Sequence, residues 1–229
     1  MAPRPQLSLC ISVSRTSDLI QEFSDNVSHF FRKFPLLYEV LFAVNPRQDQ
    51  GLPLLHYLAE RNPQFQIIEN SASLTRAENL QNLFNRARGS ILITTDLELA
   101  LPLSEVLKIF ETLHSEQDVE AVFGHRNDKV KKNLENFFQQ VIHDKTRWPF
   151  RDPFCPVLGL RKESFLKIQN ELKSKGWYWT HEVQRAVHVK SLKSRDIPLY
   201  VGSRQAPSPD GRAAAVEALR LFKFVLLRI

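Results

Sequence analysis

Short runs of near-continuous apolar residues alternate along this chain with segments whose apolar positions recur every three or four residues. The first run, LSLCISV (7–13), predicts a buried strand, and the segment SDLIQEFSDNVSHFFRKF, opened by the cap-competent Ser17, predicts a helix. YEVLFAV (38–44) predicts the next strand; Asn45 and Pro46 then mark a turn before a helix around LPLLHYLAER. The alternation continues through a strand FQIIEN (65–70), a helix across RAENLQNLFNRA, a strand SILITT (90–95), a helix from Leu103 and a strand VEAVFG (119–124). Strands that are apolar on both faces and separated by helices belong to the α/β class, a mostly parallel sheet covered by helices on both sides.

The second half is less regular. KVKKNLENFFQQVI (129–142) places Val130, Leu134, Phe137, Phe138, Val141 and Ile142 on one helical face, with Lys129, Lys131 and Lys132 near its start. A proline-rich stretch, WPFRDPFCPVLGLRKESF, leads into a strand at 157–161, followed by helices at 163–174 and 181–192 and a strand at IPLYV. GRAAAVEALRLFKFVLLRI predicts a last amphipathic helix. Arg212, Glu217, Arg220, Lys223 and Arg228 fall within about 160° of its circumference, and Leu219, Phe222, Val225, Leu226 and Ile229 occupy the rest. The expected organisation is one domain over 1–205 and an appended helix over 206–229, suited to an anionic membrane interface or to a dimer contact.

Composition narrows the partners. At 229 residues and 43 % hydrophobic the chain can bury a substantial core. Its net charge of +6, from 31 basic and 25 acidic residues, points to an anionic partner such as phosphate or lipid. Nucleic acid is not expected, because no basic platform interleaved with aromatic residues is present. Cys10 and Cys155 lie far apart and show neither disulfide nor zinc-site spacing, so a reducing compartment is expected. The opening apolar run is too short for a signal peptide and no stretch of about 18 apolar residues occurs, so the expected location is the cytoplasm, with peripheral contact at the inner membrane face.

In a sheet of this class, ligands bind beyond the carboxyl ends of the strands. Those ends carry Ser12 to Arg15, Asn45 to Asp49, Asp96 to Glu98, and Gly124 to Arg126. The strand in RGSILITTDLEL stops at Asp96 and Glu98, two carboxylates at spacing i and i+2. Oxygen ligands of this kind suit a hard cation such as Mg²⁺ or Mn²⁺, although Asp-x-Glu alone is also common in solvated loops.

The order LSLCISV, YEVLFAV, RAENLQNLFNRARGSILITTDLEL, AVFGHR resembles the family 2 glycosyltransferases, which have the GT-A fold and an acidic DxD motif after the fourth strand. Within them it is most similar to the polyprenyl-phosphate sugar transferases, such as dolichol-phosphate mannosyltransferase. ARGSILITTDLE is the most specific match, and Gly124-His125-Arg126 is similar to that family's GSR. RDPFCPVLGLRKESFL and GWYWTHEVQRAVHVKSLKSRDIPLYV also resemble later family segments, as do Arg204 and DGRAAAVEALRLFKF.

The resemblance implies a nucleotide-sugar donor, a divalent metal on its diphosphate and a polyprenyl phosphate as acceptor. It implies that Asp96 lies near ribose and metal and that Glu98 is the metal ligand. Arg126, Lys131, Lys132 and Arg204 would hold phosphates, and Glu182 stands where some relatives place an acid that activates the acceptor. Ser12, Ser14, Arg15, Asn45, Asp49 and Arg76 would line the nucleotide-sugar site.

The chain departs from the family pattern in its first loop, Ser12-Val13-Ser14-Arg15-Thr16, and where the base-contacting acids become Val44 and Asn45. An aspartate that accepts a hydrogen bond from a base cannot be replaced by valine without losing that readout. Two alternatives therefore stand beside the lipid-linked transferase: a GT-A-like binding or scaffold protein with a degraded donor site, and a glycosyltransferase with a soluble or polysaccharide acceptor.

Overall fold

The computed structural model describes residues 3–13, 17–34, 36–45, 51–70, 74–95, 97, 102–126, 149–153, 155–173 and 179–200. Seven strands form one sheet: β1 (Leu7–Ser12), β2 (Tyr38–Val44), β3 (Phe65–Glu69), β4 (Ile91–Thr94), β5 (Ala121–Arg126), β6 (Leu158–Arg161) and β7 (Ser194–Leu199). Their spatial order is β3-β2-β1-β4-β6-β5-β7. Neighbouring pairs are parallel except β4–β6 and β5–β6, where β6 runs antiparallel to both neighbours. This is the mostly parallel α/β sheet expected from the alternating runs.

Six α-helices cover the sheet among the described residues: α1 (Ser17–Phe31), α2 (Leu52–Arg61), α3 (Arg76–Arg86), α4 (Leu103–Ser115), α5 (Lys162–Ile168) and α6 (Trp179–Val189). Strand alternation sorts the core into two layers. Leu7, Leu9 and Ile11 of β1, Val40, Phe42 and Val44 of β2, and Ile91 and Ile93 of β4 pack with α1, α2 and α4. Cys10, Leu41, Ala43, Leu92 and Phe123 face the other way, onto α3, α5 and α6. The continuous hydrophobicity of these strands is therefore the mark of a sheet buried on both faces.

Several boundaries shift from the sequence expectation. The helix expected over 163–174 is α5 over Lys162–Ile168 followed by a 3₁₀ turn at Gln169–Glu171. The next helix begins at Trp179, two residues early, because Trp179 is buried against Phe84 and belongs to the packed face. The strand expected at IPLYV is displaced to Ser194–Leu199, where Ser194 to Leu199 pair in register with Ala121 to Arg126. Pro198 is accommodated because β7 is an edge strand. The expected helices at 129–142 and 206–229 lie outside the described residues.

Candidate active site at the carboxyl edge of the sheet

The parallel strands β1, β2, β3 and β4 deliver Ser12, Asn45, Asn70 and Thr95 to one edge of the sheet. Register puts Ser12 beside Ala43, and Val13 N–H donates to Ala43 O at 2.9 Å. Asn70 N–H donates to Val44 O at 3.0 Å, tying the end of β3 to the end of β2. Ser12 and Asn45, both singled out in the sequence, thus lie at the ends of adjacent strands, with Asn45 two residues beyond the register partner of Ser12. Asn45 is buried at 8 % exposure.

Beside β1, the end of β4 carries Thr94 and Thr95, both buried, immediately before Asp96. Neither threonine hydroxyl has a hydrogen-bond partner among the described residues. Such orphaned oxygens are uncommon in a packed interior. Among the described residues no group of three His, Cys, Asp or Glu side chains could hold a metal ion. The sequence candidates Asp96 and Glu98 lie outside those residues, as do Ser14, Arg15, Asp49, Lys131, Lys132 and Arg204.

Helix α3 is presented to this edge by a capping box. The Thr75 hydroxyl accepts from Glu78 N–H at 3.3 Å, and Glu78 Oε2 accepts from Thr75 N–H at 2.9 Å. Arg76 is the first residue of α3. Its apolar stripe, Ala77, Leu80, Leu83 and Phe84, packs on the sheet, yet the buried Asn79 interrupts it. Asn79 Nδ2 donates to Ser12 Oγ at 3.2 Å, and Asn79 Oδ1 accepts from Asn70 Nδ2 at 2.7 Å. Asn82 Nδ2 in turn donates to Asn70 Oδ1 at 2.9 Å. Asn70, Asn79 and Asn82 were not among the sequence candidates. The visible signal was an amide three residues ahead of another on a helix whose neighbouring positions are apolar.

Arg126 ends β5 and is buried. Its Nε donates to Asp152 Oδ2 at 3.0 Å, its Nη2 to Asp152 Oδ1 at 3.2 Å, and its backbone N–H to Asp152 Oδ2 at 3.1 Å. Asp152 is itself fastened to α6, since Gln184 Nε2 donates to its carbonyl at 3.2 Å. The guanidinium expected to meet phosphate is therefore engaged by a carboxylate that the sequence reading did not single out. Next to this pair, Asp196 of β7 accepts from Arg151 N–H at 2.7 Å. Burial raises the Asp196 pKa above the usual carboxylate range despite that bond.

Glu182 lies on α6 at 1 % exposure, and its Oε1 accepts from Lys173 N–H at 2.8 Å. The preceding His181 is buried too. Desolvation, reinforced by the positive charge of Arg185, pushes its pKa down to about 4, so the ring is neutral in the fold at physiological pH.

The segment Ala87-Arg88-Gly89, which opens the ARGSILITTDLE stretch, sits at the opposite, amino edge of the strands. Glu39 is buried there and its carboxylate accepts from Ser8 Oγ at 2.6 Å, Arg88 N–H at 2.6 Å, Arg88 Nε at 2.9 Å and Gln66 Nε2 at 2.9 Å. Burial alone would raise its pKa, but the bonds from Ser8 and Arg88 win and hold it below the usual value. Gly89 N–H donates to Ser8 Oγ at 2.8 Å, and a Cβ at this glycine would lie 2.5 Å from Ser8 Oγ and 2.7 Å from Ser8 N. The motif is thus a structural clasp between β1, β2 and β4.

No protein-family model matches the chain. Among curated proteins it is similar to the glycosyltransferase AglD of Haloferax volcanii, at 20 % identity over 170 residues, 71 % of this chain and 27 % of that protein. The chain therefore spans about a quarter of the length of that relative. Among solved structures it resembles the mannosyltransferase PcManGT of Pyrobaculum calidifontis, solved with GDP-Man and Mn²⁺, at a TM-score of 0.70 and 15 % identity. That match covers 99 % of this chain and 64 % of that one. Glucosyl-3-phosphoglycerate synthase from Mycobacterium tuberculosis, solved with Mn²⁺, UDP and glucosyl-3-phosphoglycerate, gives a TM-score of 0.71 at 11 % identity, covering 98 % of this chain and 79 % of that one. Mannosyl-3-phosphoglycerate synthase from Rubrobacter xylanophilus gives 0.74 at 10 % identity, covering 98 % and 74 %. The seven-stranded order with its antiparallel β6, together with these likenesses, establishes that the chain has the GT-A glycosyltransferase fold.

Proposed function

We propose that this chain is a glycosyltransferase that moves a sugar from a nucleotide-sugar donor to a polyprenyl-phosphate acceptor. The observation that carries the reading is positional. β4 ends at the carboxyl edge of the sheet, beside the end of β1 that holds Ser12, and in the sequence Asp96 and Glu98 come just after its Thr94 and the adjoining Thr95. Ser12, Asn45 and Arg76 supply polar groups to that edge, and Ser14, Arg15 and Asp49 follow it in sequence as further donor contacts.

The donor set fits a hard dication, Mg²⁺ or Mn²⁺. In the sequence two carboxylates follow two buried hydroxyls that have no hydrogen-bond partner among the described residues, and every one of these groups offers oxygen. In this reading Asp96 and Glu98 hold the ion, which supplies positive charge to the leaving diphosphate. Two proteins of similar fold were solved with such groups, which supports that assignment: PcManGT with GDP-Man and Mn²⁺, and the mycobacterial synthase, in two complexes, with Mn²⁺ and UDP.

A lipid phosphate is ionised at neutral pH and needs little general-base help, so cations that position it matter more than a base. Arg126, Lys131, Lys132 and Arg204 are assigned to that task, with Asp152 holding the Arg126 guanidinium at the end of β5. Glu182 is the acid proposed for acceptor activation. No helix among the described residues is long and apolar enough to cross a membrane. Access to a lipid acceptor is assigned to the amphipathic sequence pattern of 206–229, read as a contact with an anionic surface.

The test is transfer of labelled sugar from UDP- and GDP-sugars to polyprenyl phosphate in anionic vesicles, run beside 3-phosphoglycerate and oligosaccharide acceptors. Labelled lipid supports the reading. Label only in a soluble acceptor replaces the acceptor, and nucleotide binding without transfer to any acceptor leaves a binding module. The last reading draws on one observation: Val44, at the family's base-contacting acid, is fully buried in the apolar core.

A further inference from the structure

The amides beneath the candidate site form a chain with a direction. Amide orientation is set by the hydrogen-bond network, and a row of asparagines alone reads equally well in either sense. Here one end is fixed by a group that can only donate. Arg86 Nε donates to Asn82 Oδ1 at 3.2 Å, which commits Asn82 to present Nδ2 to Asn70 Oδ1 at 2.9 Å. Asn70 must then give Nδ2 to Asn79 Oδ1 at 2.7 Å, and Asn79 gives Nδ2 to Ser12 Oγ at 3.2 Å. The chain runs from an exposed guanidinium at the end of α3 to the half-buried hydroxyl at the end of β1.

Because the Ser12 oxygen accepts from Asn79, its proton is not directed at Asn79 and has no acceptor among the described residues. Successive donors in such a row polarise one another, which strengthens the last hydroxyl as a donor. We propose that Ser12 donates a hydrogen bond to an oxygen of a bound nucleoside diphosphate, and that Arg86, Asn82, Asn70 and Asn79 are positioning residues that fix the hydroxyl in that sense. The inference rests on the donor reading given above and adds the polarity of one contact. A neutral row serves here better than a carboxylate at Asn79, which would accept the Ser12 proton and turn the hydroxyl away from the ligand.

The direction can be reversed from the surface. In Arg86→Glu the guanidinium becomes an acceptor, so Asn82 turns its Nδ2 outward, each amide follows, and Asn79 Oδ1 takes the Ser12 proton. Arg86→Gln removes the charge but keeps a donor. UDP and GDP binding is measured by calorimetry with Mn²⁺ for wild type, Ser12→Ala, Arg86→Glu, Arg86→Gln and the Ser12→Ala/Arg86→Glu double variant, with thermal unfolding confirming that each is folded. Ser12→Ala and Arg86→Glu should each weaken binding about fivefold, the loss of one net hydrogen bond. Arg86→Gln should match wild type, and the double variant should bind no worse than Ser12→Ala.

Unchanged binding in Ser12→Ala overturns the contact. An Arg86→Glu loss that persists in full in the Ser12→Ala background shows a general charge effect and overturns the relay. Both results leave the donor reading standing. A wild type that binds neither nucleotide overturns that reading and this inference with it.

Discussion

Arg126 and Asp152 form a buried fork, with both carboxylate oxygens accepting from the one guanidinium at 3.0 and 3.2 Å and the Arg126 backbone N–H completing the set. The pair joins the end of β5 to the 149–153 segment. Removing one partner leaves a buried charge uncompensated, which costs about 3–5 kcal/mol. Asp152→Ala should lower the unfolding free energy by roughly that amount in denaturant titrations. An Arg126→Met/Asp152→Leu double variant should recover part of the loss, because neither charge is then stranded.

The clasp at the amino edge gives a sharper steric expectation. A methyl at Gly89 would meet Ser8 Oγ at 2.5 Å, Ser8 N at 2.7 Å and Leu7 C at 2.9 Å, two of them backbone atoms of β1 that cannot step aside. Gly89→Ala should destabilise by more than about 2 kcal/mol, as overpacking against backbone does. Thermal unfolding reads this directly.

Two buried groups should give the protein separate acid sensitivities. For His181 the folded pKa is depressed to about 4 from 6.5, so the unfolded chain takes up a proton that the fold refuses. The neutral ring's advantage is fully present above pH 6.5 and is lost as pH falls toward 4, by at most about 3 kcal/mol. Glu39 has a folded pKa held below 4.5, so its contribution is present above 4.5 and disappears as pH falls through the lower folded value. Unfolding free energy against pH should flatten between 6.5 and 4 in His181→Gln, while Glu39→Gln should flatten only the more acidic limb.

A loop offers a gain instead. After α6, Leu192 N–H donates to Val187 O at 3.0 Å and Ser191 N–H to His188 O at 2.9 Å, closing the helix with Ser191 at φ 54°. That left-handed conformation favours glycine over any residue with a Cβ. Ser191→Gly should raise stability by about 0.5–1 kcal/mol, seen as a higher melting temperature.

The sheet was legible because its strands are apolar on both faces: LSLCISV and YEVLFAV read as buried strands and are β1 and β2. The β6 direction was not legible, since pairing sense depends on which neighbours a short strand meets and Leu158–Arg161 carries no trace of it. At the carboxyl edge, the positions of Ser12 and Asn45 were readable because each falls at or just after the end of an apolar run. Asn79 was not, because a polar residue on an apolar helix face shows its purpose only when Asn70 and Ser12 arrive from distant strands. Asp152 escaped for the same reason: nothing local to RDPFCP announces that Arg126 lies across from it. Ala87-Arg88-Gly89 opens ARGSILITTDLE, the stretch on which the sequence resemblance leaned most, yet these residues hold the amino edge of the sheet together, away from Ser12 and Asn45.

The proposed transfer requires Asp96 and Glu98 to hold a nucleotide through a metal. Calorimetric titration of UDP and GDP into wild type, Asp96→Ala and Glu98→Ala, each with and without Mn²⁺, measures this. Wild type should bind one nucleotide more tightly with Mn²⁺, and both variants should lose the metal-dependent part of that affinity. Absence of binding to either nucleotide in both conditions, or a metal-dependent affinity that survives both substitutions, would contradict it.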